Sequence, residues 1–177
     1  KKMSKRESNF KNMVLTLFLV TFIASGTLGF VYELTKEPIR LAEMEKKTSA
    51  LSNVMPDFDN NPLEESIKVA AGTDSLVMYP ARLNQSLNGA AVETYTMQGF
   101  SGRIRLMVGF NMDGTITDIV VLEHQETPGL GDKIEQAKSD FHVQFQGKNP
   151  EEFELQVVKD NGDVDAITAS TITSRAY

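Results

Sequence analysis

The chain has 177 residues, of which 24 are acidic and 18 are basic, so its formal net charge is -6. An acidic surface repels phosphate backbones, and this balance argues against nucleic-acid binding. The sequence contains no cysteine, which excludes disulfides, thiolate nucleophiles and cysteine-ligated zinc or iron–sulfur centres. Any redox chemistry must therefore use another cofactor.

An apolar segment near the N-terminus predicts one transmembrane helix, which we place at residues 13–34. About twenty residues without a charged side chain match the hydrocarbon thickness of a bilayer. The basic residues that precede the segment are Lys1, Lys2, Lys5, Arg6 and Lys11. This bias predicts a single-pass protein of the inner membrane, in which residues 1–12 are cytoplasmic and the residues after the helix are extracytoplasmic. A cleaved signal peptide ending near residues 24–26 is the alternative, but the apolar run continues past that point.

Residues 35–62 read as a stalk helix and a linker. Pro38 is suited to the first turn of a new helix, and a loosely amphipathic pattern follows it. Residues 56–62 concentrate prolines, asparagines and acids, which are typical of a boundary. We therefore expect one soluble domain at residues 63–177.

Five runs rich in β-branched and aromatic residues predict strands, at residues 67–71, 76–83, 91–98, 103–110 and 116–124. The last two strands frame a hairpin, because residues 111–114 contain an Asp-Gly turn. Alternation of Ile104, Leu106 and Val108 predicts that one face of the hairpin is buried.

The remaining pattern predicts flanking helices. Apolar spacing favours a helix over residues 132–145, with Asp132 as its N-cap. Residues 153–158 alternate like a sixth strand, and residues 159–162 read as a turn. The fold class is therefore α+β, with a largely antiparallel sheet.

Two segments could carry chemistry. Residues 165–174 contain five hydroxyl side chains within seven positions, which fits either a helix cap or an anion site with extra donors. Residues 124–131 form a loop whose two glycines permit close approach of a flat ligand, or which is an ordinary connector. His124 lies near acids and could join a metal site, although a structural role is more common for such a histidine. His142 is expected to be structural.

Together the two segments resemble those of the FMN-binding subunits of ion-translocating electron-transfer complexes, and more closely those of the Rnf complex. The flavin attachment signature of that family reads approximately D-x-x-[ST]-G-A-[TS]-x-T-S, and its E-T-P-G-L-G loop is intact here. The matching candidate flavin-binding residues are Asp165, Thr168, Ala169, Ser170, Thr171, Thr173 and Ser174 in the signature, and Glu126, Thr127, Pro128, Gly129, Leu130 and Gly131 in the loop. Ala169 and Ser170 replace the glycine and the alanine that are usual in the family.

The resemblance implies an N-terminal anchor followed by one extracytoplasmic FMN-binding domain. It implies a phosphodiester between FMN and Thr171, installed by a flavin transferase, with Asp165 and Thr168 as recognition elements. The loop at residues 129–131 is expected to lie against the isoalloxazine ring. The implied role is an electron relay without a substrate of its own, in a membrane complex that couples ferredoxin and NAD chemistry to ion movement. Family members continue into a helix, so we expect further residues after Tyr177.

Two rival interpretations remain at this point. One is the homologous flavin-binding subunit of the Na⁺-translocating NADH:quinone oxidoreductase, NqrC, which has a similar anchor and similar motifs. The other is a cofactor-free, membrane-tethered assembly module in which the hydroxyl run is only a helix cap.

Overall fold

A long N-terminal helix, α1, spans Phe10–Val54 in the computed structural model, which describes residues 9–72 and 74–177. By length and composition it can cross a membrane once. The predicted transmembrane segment therefore lies within a helix, as expected. Lys1, Lys2, Lys5 and Arg6 lie outside the described residues.

Pro38 lies inside α1, so the prediction that it begins a new helix is wrong. A proline inside a helix removes one backbone hydrogen bond and costs about 3 kcal/mol. The helix continues because the residues at 40–47 are strong helix formers. Arg40 also forms an ion pair with Glu37 at 2.9 Å, one turn back along the same helix.

The second compact unit, residues 45–177, is built on a five-stranded antiparallel sheet whose strands follow the order of the sequence. All five strands predicted from the sequence are confirmed. Their bounds are β1, Ile67–Ala71; β2, Asp74–Leu83; β3, Ser86–Gly99; β4, Gly102–Asn111; and β5, Ile116–His124.

The predicted turn between β4 and β5 is also confirmed. Gly114 has a φ of +83°, which a glycine adopts without steric cost. Its N–H donates to the carbonyl of Asn111 at 3.1 Å. The Asp113 carboxylate accepts hydrogen bonds from the N–H and the hydroxyl of Thr115 at 3.0 and 2.6 Å, which fixes the register of the hairpin.

Both faces of the sheet are covered. On one face, Ile104 and Leu106 pack against residues from the C-terminal segment, including Ile134 and Phe145. On the other, Met107 packs in a cluster that contains Leu51 and Val54 of α1. The end of α1, which we read as stalk, therefore contributes to the core of the folded unit.

The predicted helix over residues 132–145 is wrong, because the segment forms two short 3-10 helices, Gly131–Ile134 and Phe141–Phe145. Asp132 consequently lies within the first of them and is not an N-cap. Ser139 explains the break, since its hydroxyl donates to the carbonyl of Lys133 at 2.5 Å and accepts from the N–H of Phe141. Such bonds compete with helical ones.

The predicted sixth strand is also wrong, although the turn that follows it is present. Val157 makes a ladder contact, but it is an isolated bridge to Val164. Asp163 instead closes the segment locally, because its carboxylate accepts the N–H of Glu154 and its own N–H donates to the Glu154 carbonyl. Asn161 completes the turn with a φ of +66°.

Gly109 allows the end of α1 to approach the sheet, and this contact can be tested. A Cβ at this position would overlap the Val54 carbonyl and the Thr117 hydroxyl. We expect Gly109→Ala to lower the free energy of unfolding by about 2–3 kcal/mol in the detergent-solubilised chain, because overpacking a core displaces its neighbours. The control is Gly114→Ala, because a Cβ at position 114 would meet no atom closer than 3.8 Å. We expect this substitution to lower the free energy of unfolding by only about 1 kcal/mol, through backbone strain. Equal losses in chemical denaturation would contradict the packing argument.

Candidate functional site

The two segments singled out in the sequence meet around one cavity of about 280 Å³. One wall is the loop after β5, and the facing wall is the start of the second helix, α2, at Thr171–Ala176. The tip of the β3–β4 hairpin closes one side. The lining residues are Phe100, Glu126, Thr127, Leu130, Gly131, Ala169, Ser170, Thr171, Ile172 and Thr173.

Glu126 joins these three walls. One carboxylate oxygen accepts the hydroxyl of Thr173 on α2 at 2.6 Å. The other accepts the N–H of Ser101 at the hairpin tip at 3.0 Å. Glu126 is only 5% exposed and Thr173 only 1%, so these hydrogen bonds are shielded from water and strengthened by the low dielectric around them.

The loop glycines serve two different purposes. A Cβ on Gly131 would lie 2.6 Å from a Glu126 carboxylate oxygen and 2.9 Å from the Thr173 hydroxyl, so glycine here makes room for the bond between the walls. Gly129 has open space around it but a φ of +77°. Glycine there provides the backbone conformation of the turn.

The hydroxyl-rich segment is shaped by two local features. Ala169 has a φ of +63°, in the left-handed region that disfavours residues with a Cβ. This is the position at which the flavin signature has glycine, so the substitution preserves the turn at a cost in strain. Ser174 closes the turn, because its hydroxyl donates to the carbonyl of Ser170 and accepts the N–H of Ile167.

The hydroxyls of this segment differ in availability. Thr173 is engaged by Glu126, and Ser174 is engaged by the backbone. Ser170 lines the cavity but is only 7% exposed. Thr171 also lines the cavity and is partly exposed, so it is the more exposed residue of the two.

Several residues of the two motifs lie away from the cavity. Asp165, Thr168, Pro128 and Gly129 are exposed and do not line it. Asp165 is held through its backbone, since its N–H donates to the side chain of Gln144 and its carbonyl accepts from the same side chain. Its carboxylate takes no part in those two bonds.

Phe100 is a cavity residue that the sequence reasoning missed. It lies at the hairpin tip between Gly99 and Gly102, and 66% of it is exposed. With Leu130 and Ile172, which are also partly exposed, it gives the cavity an apolar rim. An aromatic residue between glycines that flank a turn could have drawn attention to this position.

Comparison with known proteins agrees with this geometry. A family model described as the FMN-binding domain matches residues 99–177, the stretch that contains every residue lining the cavity. The fold and this match define the second unit as one that contains an FMN-binding domain.

Curated relatives then identify the family of the whole chain. A protein of Vibrio atlanticus is 37% identical over 171 residues, which cover 92% of this chain and 82% of the relative. A relative from Shewanella piezotolerans is 35% identical, and the match covers 97% of this chain and 85% of the relative. A relative from Salmonella typhi is 36% identical, and the match covers 92% of this chain and 82% of the relative. All three are named as the G subunit of an ion-translocating oxidoreductase complex. The chain belongs to this family, RnfG, which confirms the resemblance seen in its motifs.

The strain at Ala169 gives a first prediction for the site. Ala169→Gly should raise the free energy of unfolding by about 1 kcal/mol, because it removes the left-handed strain at the expense of some chain entropy. Ala137→Gly is the matched control, since Ala137 is exposed and does not have a positive φ. The control should lose about 0.5–1 kcal/mol. A loss of stability in both variants would refute the strain at Ala169.

The bond between Glu126 and Thr173 gives a second prediction. In a double-mutant cycle of Glu126→Ala and Thr173→Val, we expect a coupling of about 1–3 kcal/mol in the free energy of unfolding, because the two side chains share a buried hydrogen bond. A parallel cycle with Thr171→Val should show coupling near zero, because the Thr171 hydroxyl takes no part in that bond. Additive losses in the first cycle would show that the walls are not joined in this way.

Proposed function

We propose that this chain is an electron-transfer subunit of a membrane ion-translocating ferredoxin:NAD oxidoreductase complex of the Rnf type, with FMN bound covalently to Thr171. The observation that carries the proposal is the meeting of the two family motifs around one cavity, with the partly exposed Thr171 on its wall. The names of the relatives support membership of such a complex. When bound, FMN supplies reversible one- and two-electron transfer.

The residues around the cavity fit a flavin. Phe100, Leu130 and Ile172 offer apolar surface to a planar ring, and an exposed aromatic side chain can stack on it. Thr171 presents a hydroxyl at which the phosphate would be esterified. The rest of the wall is held rigid by Glu126, so the chain contributes orientation and an apolar surface.

The size of the cavity favours a covalent tether. A volume of about 280 Å³ lies just below the usual range of small-molecule sites, which enclose most of the ligand surface. A ring held in so small a site would remain partly exposed and would dissociate readily without a bond. A tether at Thr171 retains the cofactor while leaving its edge open to partner subunits.

The choice of Thr171 over Ser170 rests on burial. Ser170 is 7% exposed and its carbonyl accepts two hydrogen bonds from Ser174, so a transferase could reach its hydroxyl only by opening the turn. Thr171 is reached without that opening. Within the proposal, Asp165 and Thr168 remain exposed and serve the flavin transferase as recognition elements.

We further propose the membrane orientation. α1 provides the single span, and the basic residues before it argue for a cytoplasmic N-terminus. The flavin domain then lies on the extracytoplasmic side of the inner membrane, among the other membrane subunits of the complex, and α1 contacts the lipid. A covalent cofactor suits that location, because a dissociated flavin could not be recovered from it.

The attachment site can be tested by producing the full chain with its flavin transferase. We expect a fluorescent band that survives a denaturing gel and an intact mass increased by one FMN less one water. Thr171→Ala should abolish both signals, because it removes the oxygen that the phosphate would esterify. Ser170→Ala is the control and should retain them. A fluorescent band that persists in Thr171→Ala and disappears in Ser170→Ala would reassign the attachment to Ser170.

A further inference from the structure

His124, the last residue of β5, makes a contact through each nitrogen of its ring, one of them to the base of the loop at residues 126–131, which we call the flavin loop. Nδ1 accepts the backbone N–H of Glu126 at 3.0 Å. Nε2 lies 2.5 Å from a carboxylate oxygen of Glu135. The ring is only 12% exposed, so water cannot easily replace either partner.

These two contacts fix the protonation state of the ring. A ring nitrogen that accepts an N–H cannot itself carry a proton, so Nδ1 is bare and Nε2 carries the hydrogen donated to Glu135. Only the neutral imidazole in its Nε2–H tautomer satisfies both contacts. The imidazolium has a hydrogen on each nitrogen and would lose the bond to Glu126.

The charges around His124 oppose one another. The Glu135 carboxylate contacts Nε2 of the ring, and Lys138 lies 3.0 Å from both Glu135 and Asp132 and compensates both acids. Burial would raise the pKa of Glu135, but hydrogen bonds from His124 and Lys138 outweigh it and lower that pKa. Lys46 of α1 borders the same cleft. Glu123 lines the same cleft beside His124, and its carboxylate lies 3.7 Å from the guanidinium of Arg105 on the neighbouring strand.

We propose that His124 is a positioning residue whose Nε2–H tautomer holds the flavin loop by accepting the Glu126 N–H at Nδ1. Loss of the acceptor at Nδ1 breaks that bond and frees the loop backbone at Glu126. Because the Glu126 carboxylate joins the hairpin tip to α2, the disturbance reaches all three walls of the cavity. Its effect on a bound flavin rests on the proposed function, whereas the effect on the loop does not.

The tautomer can be measured in the full chain produced without a flavin transferase. In a ¹⁵N spectrum of labelled histidine at about pH 8, where an ordinary histidine is neutral, we expect His124 to show a protonated Nε2 and an unprotonated, hydrogen-bonded Nδ1. The His124→Asn variant identifies the signals by their loss. An Nδ1–H tautomer or an imidazolium at this pH would overturn the proposal, whether or not FMN binds.

Two substitutions separate the contacts of the ring. His124→Asn keeps a short acceptor for the Glu126 N–H but cannot titrate, whereas His124→Gln can reach Glu135 but offers no acceptor at the Nδ1 position. Hydrogen exchange at the Glu126 N–H should therefore be about tenfold faster in the Gln variant than in the Asn variant, the factor that corresponds to the loss of one hydrogen bond. Equal exchange in the two variants would overturn the proposal.

The flavin-loaded chain provides the functional readout. The fluorescence of bound flavin should match the wild type in His124→Asn, which keeps an acceptor for the Glu126 N–H, and should change in His124→Gln, which does not. Flavin fluorescence in His124→Gln that matches the wild type would overturn the role of His124 at the cavity. A wild-type chain that carries no flavin would instead refute the proposed function, and the tautomer and exchange experiments would still decide the proposal.

Discussion

The hydrogen bond between Glu126 and Thr173 is the contact on which the candidate site depends. Its two residues are 47 positions apart in the sequence and almost fully buried. This bond ties the loop after β5 to the start of α2 at the cavity. The same carboxylate also holds the N–H of Ser101. One buried side chain thus sets the distance between three segments that come from different parts of the fold.

The sheet provides the frame for that contact. β4 and β5 place the hairpin tip and the flavin loop at the same end, because antiparallel pairing brings the start of β4 beside the end of β5, as in the Ile104–His124 pair. Core residues on both faces keep the sheet fixed. The cavity is therefore built from loops on a rigid scaffold, which is where proteins commonly place binding residues.

The five strands could be predicted from the sequence, because periodicity and turn chemistry are local signals. The two motifs were instead recognised by their resemblance to those of a known family. The predicted helix start at Pro38 is wrong because strong helix formers follow the proline. The predicted helix over residues 132–145 is wrong because the hydroxyl of Ser139 bonds to the backbone and interrupts it. The role of Ala169 emerged only from its positive φ. The glycines on either side of the turn mark Phe100 in the sequence, but its position in the cavity depends on the register of the β3–β4 hairpin, which no short pattern contains.

Under the proposed function, the flavin ring would lie beside the exposed apolar side chains of Phe100, Leu130 and Ile172. A partner subunit that exchanges electrons with the ring would then approach it over this apolar surface. The most direct test of covalent attachment at this cavity is an experimental structure of the transferase-matured chain. We predict density that continues from the Thr171 hydroxyl into a flavin whose ring lies between the hairpin tip and the flavin loop. A flavin bound anywhere else on the chain would contradict it.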